Sequence, residues 1–293
     1  MLNKCSLCEG ENIRELYKVK GYGVVQCKNC GFVFVNEEIQ KETLNQLYTE
    51  TYFHNPAWYR LDKNNYFGYD DYIGDKQNIR DKFEKVIKII IKYTDNGPLL
   101  DIGCGPGLFL ELVQERGFTP VQGVDISSFA VEYCTNTLHL NVQKGDLLDF
   151  KFKSESFNLI TMFDTLEHIQ NPKAELMEIE RILKPNGILA IITPNISALA
   201  ARVVQSKWEE VQRLPEHLVF FSKKTLHSVL RQVGFEILRT NYVSKKQSLP
   251  SFISHLLVNA GINIKIDINR MPKLKLNIPV NPFYKLLVIA KKT

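Results

Sequence analysis

The stretch Pro98-Leu99-Leu100-Asp101-Ile102-Gly103-Cys104-Gly105-Pro106-Gly107 constrains this 293-residue chain more than any other. Apolar residues over 98–102, broken by a single acid, read as a buried strand that runs straight into a glycine-rich turn opening a helix. Glycines at 103, 105 and 107 remove side chains where backbone must come close to a ligand. A dinucleotide turn of the form G-x-G-x-x-G/A would want glycine or alanine at position 108, where the chain has Leu108. The carboxylate of Asp101, two residues before the first glycine, suits an ammonium group better than a pyrophosphate. By itself such a strand–turn–helix unit is weak evidence; in open α/β sheets ligands lie at the carboxyl ends of the strands.

The pattern recurs downstream in a fixed order. Val121-Gln122-Gly123-Val124-Asp125 is a short strand ending in an acid about 20 residues after the glycine turn, the spacing at which a carboxylate can hold ribose hydroxyls. Gly145-Asp146-Leu147 follows a third short strand, Phe157 to Phe163 is an apolar fourth, and Leu183 to Thr193 reads as a helix end, a Pro-Asn-Gly turn and a fifth strand. Together these segments resemble class I S-adenosylmethionine (SAM) methyltransferases. The resemblance implies a Rossmann-like α/β sheet with helices on both faces. It also implies a cofactor site of Asp101, Gly103, Gly105, Gly107, Asp125, Ile126, Asp146, Leu147 and Phe163, in which Asp125 holds the ribose, Asp146 faces the adenine amine and Leu147 packs by its ring.

Cysteine spacing defines a second unit. Cys5-x2-Cys8 and Cys27-x2-Cys30, separated by 18 residues, read as a tetrahedral thiolate zinc ribbon. A segment of about 35 residues buries too little apolar surface to fold unaided, so the metal would supply the missing stability. A disulfide or redox dithiol is the competing reading, disfavoured in a reducing compartment. Cys104 and Cys134, inside the core, read as small buried residues. At 44% hydrophobic and 24% charged residues, with no apolar run of about 18 residues, the composition is that of a globular chain without a membrane span. The N-terminus MLNKCSLCEG lacks the apolar core of a secretory signal, so a cytoplasmic location is expected.

The expected layout is a zinc ribbon over 1–36, a helical cap over 37–95 and a SAM-binding core over 96–293. The cap is rich in aromatics (Tyr48, Tyr52, Phe53, Trp58, Tyr59, Tyr66, Phe67, Tyr69, Tyr72), which either line a substrate mouth or simply pack helices. Ile79, Phe83, Val86, Ile87, Ile90 and Ile91 recur at helical spacing. Pro172 fits the first turn of a helix, Ser222 caps another that Gly234 stops, and strands are expected over 235–243 and 284–290. The stretch between them, about 244–282, reads as an insertion longer than ordinary loops.

Chemistry is expected where strands four and five end. There the chain carries Asp164-Thr165-Leu166-Glu167-His168 and Leu214-Pro215-Glu216-His217-Leu218. Methyl transfer needs an aligned nucleophile and a base, and a histidine beside a carboxylate suits that task near neutral pH. The segment Glu216-His217-Leu218 followed by Phe220-Phe221-Ser222 is similar to sugar-nucleotide methyltransferases of natural-product and cell-surface polysaccharide pathways, several of which carry a four-cysteine zinc domain. That resemblance implies His217 as base, His168 beside the substrate and a nucleotide- or carrier-linked small molecule as partner. With His217 as base, Glu216 is expected to orient it or touch a sugar hydroxyl, and His168 with Asp164 to position the acceptor. Leu214 stands where that group has a tyrosine. Asp164-x-x-Glu167-His168 is also similar to the acidic cluster of ubiquinone-pathway O-methyltransferases, where it can hold a divalent cation by a catechol. An RNA methyltransferase using the ribbon as a grip is a third reading, but a net charge of +5 and a ribbon without a basic stripe give no strong nucleic-acid signal. From Asn241 to Thr293 there are nine Lys or Arg against one acid, Asp267, a charge that suits a nucleotide diphosphate or a peripheral membrane contact.

Overall fold

The computed structural model describes residues 2–53, 72–74, 76–248 and 277–293. In chain order its strands are β1 (Ile13–Val19), β2 (Tyr22–Cys27), β3 (Val33–Val35), β4 (Leu99–Ile102), β5 (Val121–Asp125), β6 (Val142–Lys144), β7 (Phe157–Phe163), β8 (Leu183–Pro194), β9 (Val219–Phe220), β10 (Phe235–Ser248) and β11 (Asn277–Lys292). Seven of them form one sheet in the order β10-β11-β8-β7-β4-β5-β6. The strands β4 to β8 pair in parallel, and β11 runs antiparallel between β8 and β10. The chain winds away from β4 in both directions, to β5 on one side and β7 on the other, which opens a crevice at the carboxyl end of β4.

Strand alternation explains the two layers of helices. Leu100, Ile102, Ile160, Met162, Leu189 and Ile191 point to one face and pack on Leu176, Ile179 and Ile182 of the helix Pro172–Ile182 and on Leu226, Val229 and Leu230 of the helix Lys223–Gln232. Their neighbours Leu99, Leu159, Ile188, Ala190 and Ile192 point to the other face. There they meet Val86, Ile87 and Ile90 of the helix Lys76–Ile90, and Phe109, Leu112 and Val113 of the helix Leu108–Glu115. Helix ends follow the sequence signals: Asn171 caps the helix that Pro172 opens, and Ser222 and Thr225 form a reciprocal capping box.

Two expectations change. The last strands are longer than their apolar cores: β10 and β11 stay paired as far as Ser248 opposite Asn277, so both ends of the expected 244–282 insertion are arms of a hairpin. Polar residues such as Lys245, Lys246 and Gln247 extend β10 because the pairing is through backbone, which hydrophobic periodicity does not register. The Pro-Asn-Gly turn lies within the span of β8, where Asn186 takes φ 62° and the partner register jumps from Phe157–Leu183 to Leu159–Ile188. Residues 249–276, and the aromatics Trp58, Tyr59, Tyr66, Phe67 and Tyr69, lie outside the described residues.

The N-terminal strands form a second sheet in the order β1-β2-β3-β9. Its fourth strand comes from the core, so the ribbon's sheet does not close within residues 1–36: Val33 pairs with Phe220 and Phe34 with Val219. Side chains reinforce the junction, with Leu7, Val25, Phe32 and Phe34 in the same apolar cluster as Leu166, Leu218 and Phe221. Among the described residues no helix is long and apolar enough to cross a membrane.

Candidate active site

The turn after β4 places Gly103, Gly107 and Gly105 in left-handed backbone, at φ 70°, 74° and 50°. At Gly103 a Cβ would lie 2.3 Å from Thr165 Oγ1, and at Gly107 2.7 Å from Cys134 Sγ. These two glycines are therefore required by the turn's own packing, in addition to any ligand. Gly105 has room, its nearest neighbour being a Phe53 ring carbon at 3.7 Å. The buried Asp101 accepts a 2.6 Å hydrogen bond from the Thr161 hydroxyl, and burial pushes its carboxyl up to about 7. Asp125, at the end of β5, accepts from the backbone N–H of Gly105 at 2.7 Å and of Ser127 at 2.8 Å, so the two acids share one crevice. Half-buried Ile126 follows it.

The other expected cofactor residues are engaged within the protein. Asp146 forms an ion pair with Lys41 at 2.5 Å, Leu147 is 1% exposed within the core, and the Phe163 ring packs against Phe83 and Phe109. Residues 41–53 lie across the crevice. Phe53 stacks on Phe129, Ser127 donates to the Tyr48 carbonyl at 2.7 Å, and Lys41 holds both Asp146 and Asp149.

Beyond the ends of β7 and β8 a buried polar cluster gathers. His168 and His217 meet edge to face with ring centroids 4.7 Å apart. His168 Nδ1 lies 2.8 Å from the Tyr48 hydroxyl and 3.0 Å from the Glu216 carbonyl, so it accepts from the first in one tautomer and donates to the second in the other. Glu167 Oε2 accepts from the Thr193 hydroxyl at 3.0 Å. Asp164, at φ 54°, pairs through Oδ2 with Lys285 at 2.7 Å. Three buried atoms here have no hydrogen-bond partner: Asp164 Oδ1, Glu167 Oε1 and His217 Nδ1. Burial holds His217 well below the ordinary imidazole value, and the neighbouring His168, Arg213 and Lys285 add to the effect. Burial also pushes Glu167 well above the usual carboxylate range, with the nearby Asp164 charge second.

Glu216 does not orient His217. Its carboxylate is clamped by Arg213, at 2.5 and 3.1 Å, and by the Tyr52 hydroxyl at 2.6 Å, whereas His217 Nε2 is 3.9 Å away. The carboxylate facing the imidazole is Glu210, whose Oε2 lies 3.2 Å from His217 Nδ1 without hydrogen-bond alignment. The other Glu210 oxygen bonds to the Tyr284 hydroxyl.

The four N-terminal sulfurs lie within 4.8 Å of one another, with Cys5–Cys30 at 3.7 Å and Cys8–Cys27 at 3.5 Å. A tetrahedral zinc–thiolate centre has sulfurs roughly 3.8 Å apart, so the donor set fits that ion in number, type and spacing. Without a cation, burial pushes the Cys5 thiol up to about 11 and Cys30 upward as well.

A family profile described as "Methyltransferase domain" matches residues 75–240, more than half of the chain. The chain belongs to this methyltransferase family. Ubiquinone biosynthesis O-methyltransferases from Coxiella burnetii and Pasteurella multocida are 31% identical over 102 residues and 29% identical over 112. Each match covers 33% of this chain, and 43% and 46% of those proteins, so the chain spans less than half the length of the curated relatives it matches. A SAM-dependent methyltransferase from Archaeoglobus fulgidus superposes with TM-score 0.56 at 21% identity, over 80% of this chain and all of that one. The YcgJ protein of Bacillus subtilis superposes with TM-score 0.54 at 18% identity, over 73% and 98%. What these superpositions show is the fold, the Rossmann-like α/β arrangement of those structures.

Sequence reasoning passed over several members of the methyltransferase's polar cluster. Arg213 stands three residues before Glu216, a spacing that places an ion pair on one turn. Tyr48 and Tyr52, by contrast, belong to the aromatic run read as either a substrate mouth or helix packing, and their rings meet at 4.9 Å. Glu210 and Lys285 carried no local signal, because Tyr284 and Asp164, which they meet, lie far from them in the chain.

Proposed function

We propose that the protein transfers the methyl group of SAM to a small-molecule acceptor seated between the glycine turn and the His168–His217 pair. The nucleotide-linked sugars or polysaccharide precursors of its sequence resemblance are the first candidates. The observation that carries this reading is that Asp164 Oδ1 and Glu167 Oε1 are buried without a hydrogen-bond partner beyond the ends of the central strands, where the His168 and His217 rings meet. SAM when bound supplies a sulfonium methyl, an electrophile that needs no acid. Asp101 takes the ammonium group, Asp125 the ribose hydroxyls, and Gly105 leaves backbone open beside them. His217 accepts the acceptor's proton, Glu210 stabilises the imidazolium, and Asp164 and His168 hold the acceptor in line. Incubation with SAM and separate panels of nucleotide-sugars, quinol precursors and RNA, read by mass spectrometry for the gain of one methylene, tests the acceptor class. Methylation of RNA alone would overturn the reading.

A quinol-type acceptor is the second reading. Glu167, His168 and His217 offer ligand atoms within 4.8 Å of one another, a donor set for a divalent cation beside a catechol, and curated relatives that match a third of the chain carry the ubiquinone name. Zinc in the ribbon is a structural ion in both readings. The basic C-terminal stretch serves a phosphate-bearing acceptor or an anionic membrane surface, and the protein works in the cytoplasm.

Two measurements test the cofactor half. Asp125→Ala weakens SAM binding by about 1–3 kcal/mol, the cost of losing a charge-assisted hydrogen bond, and unchanged affinity by calorimetry removes Asp125 from the site. SAM affinity also rises with pH as Asp101 ionises near 7, and falls again above about 8 as the ligand's α-amino group loses its proton. For the free protein the sign is opposite. The folded carboxyl lies above its ordinary 3.8, so stability declines as pH climbs from that value to about 7. Asp101→Asn should flatten the rising limb of the affinity profile. An unaltered profile in that variant excludes Asp101 as the ammonium partner.

A further inference from the structure

We infer that the N-terminal ribbon is a positioning element of the acceptor site, because its strand β3 templates the two-residue strand β9 that carries the Glu216–His217 turn. The inference rests on the reading of that turn as acceptor-side machinery. Val35 N–H donates to the Leu218 carbonyl at 2.8 Å, and Leu218 N–H donates to the Glu167 carbonyl at 2.8 Å. The residue after His217 is thus held between the ribbon on one side and the Glu167–His168 turn on the other. Two ladder pairs, Val33–Phe220 and Phe34–Val219, continue the contact. Beyond them Phe221 bridges to Asn195 at the end of β8 and meets the Phe32 ring at 5.1 Å. A strand of two residues has too few bonds to define its own conformation, and among the described residues β3 is its ladder partner.

Packing extends the link. Val19, Val24 and Val35 share an apolar cluster with Phe220 of β9 and with Trp208, Val211 and Leu214, the residues around Glu210 and Arg213. The ribbon therefore backs both segments that hold His217 in place, Glu210–Arg213 and Glu216–Leu218. The edge of β3 away from β2 is occupied by β9.

Val35→Pro deletes the donor to Leu218, and Val35→Ile keeps it. Both are compared in a Trp58→Phe background, where Trp208, whose ring lies 6.4 Å from that of Phe220, is the remaining tryptophan. The expected result for Val35→Pro is faster amide exchange over 216–221 and red-shifted Trp208 emission. SAM affinity should stay within twofold and exchange over 99–107 should not change. Val35→Ile should restore the native values. Native protection of 216–221 and unshifted emission in a folded Val35→Pro protein would overturn the inference. If that variant does not fold, exchange of the native protein in mild denaturant decides. Opening of Val35 and of Leu218 to Phe220 as one unit supports the inference, and persistence of β9 after β3 has opened overturns it. Neither readout uses turnover, so a wrong assignment of His217 as base shows separately, as native activity of His217→Gln.

Discussion

Replacing His217 by Gln lowers methyl transfer about 100- to 10,000-fold, the usual contribution of a positioned general base, and leaves SAM affinity within about twofold. The asymmetry follows from the layout. The acids proposed to hold the cofactor sit on β4 and β5, whereas His217 sits in the turn before β9. Glutamine keeps the size and a hydrogen-bonding end but takes up no proton at neutral pH, so the loss falls on the chemical step. Burial already holds the imidazole well below its ordinary value, so it is neutral, and able to accept a proton, at every pH above that depressed value. The acid limb of the rate profile should therefore lie below the range of an ordinary histidine base. Glu210, with one oxygen facing Nδ1 and the other tied to Tyr284, offers the charge that stabilises the imidazolium once it forms. Equal turnover by the glutamine variant, on whichever member of the acceptor panel the native protein methylates, removes His217 from the mechanism and shifts the role to His168.

The β4–glycine turn–helix unit and the place of Asp125 at the end of β5 were legible in the sequence because their determinants are local. A strand, an acid and a glycine turn occupy consecutive residues, and Asp125 ends the next strand at the spacing a mononucleotide unit demands. The sequence also supplied a ligand-based reason for all three glycines, and that reason was too narrow: Thr165 and Cys134 forbid a Cβ at Gly103 and Gly107 whatever binds. The polar cluster was half legible. His168 and His217 stood out as histidines beside acids, but which acid faces which ring is decided by tertiary packing. Glu216 looked like the partner of His217 from adjacency, yet adjacent residues on an extended segment point apart, and its carboxylate turns to Arg213 and Tyr52 instead. The ribbon's spacing was legible and its attachment was not, since β9 is too short to announce itself by periodicity and its partner β3 lies at the other end of the chain.

Cys27→Ser should have the largest effect on stability of any single substitution in the ribbon. Zinc binding to four-thiolate sites in small ribbons is worth about 10–16 kcal/mol, comparable to the roughly 5–15 kcal/mol that stabilises a whole domain, and three ligands retain only part of it. Freshly purified, reduced native protein should contain one zinc per chain by elemental analysis, and the variant much less. A native protein free of metal would exclude the zinc centre. The sulfur of Cys27 is buried beside Phe32 and Leu7, and its backbone N–H donates to the Phe32 carbonyl at 2.9 Å, so losing the ion loosens the turn that leads into β3. A self-contained ribbon would melt alone. Because Val35 clamps Leu218 and Phe32 packs on Phe221, the disturbance should instead run on into residues 216–221, while β4, β5 and the glycine turn between them keep their amide protection and bind SAM. Exchange confined to the first 36 residues, with β9 as protected as in the native protein, would mean that the core holds β9 without help from the ribbon. Collapse of the cofactor crevice together with the ribbon would mean that the apolar cluster joining Phe32 and Phe34 to Leu100 and Ile102 unfolds as one unit, and that the metal stabilises the whole protein rather than one wall of its acceptor site.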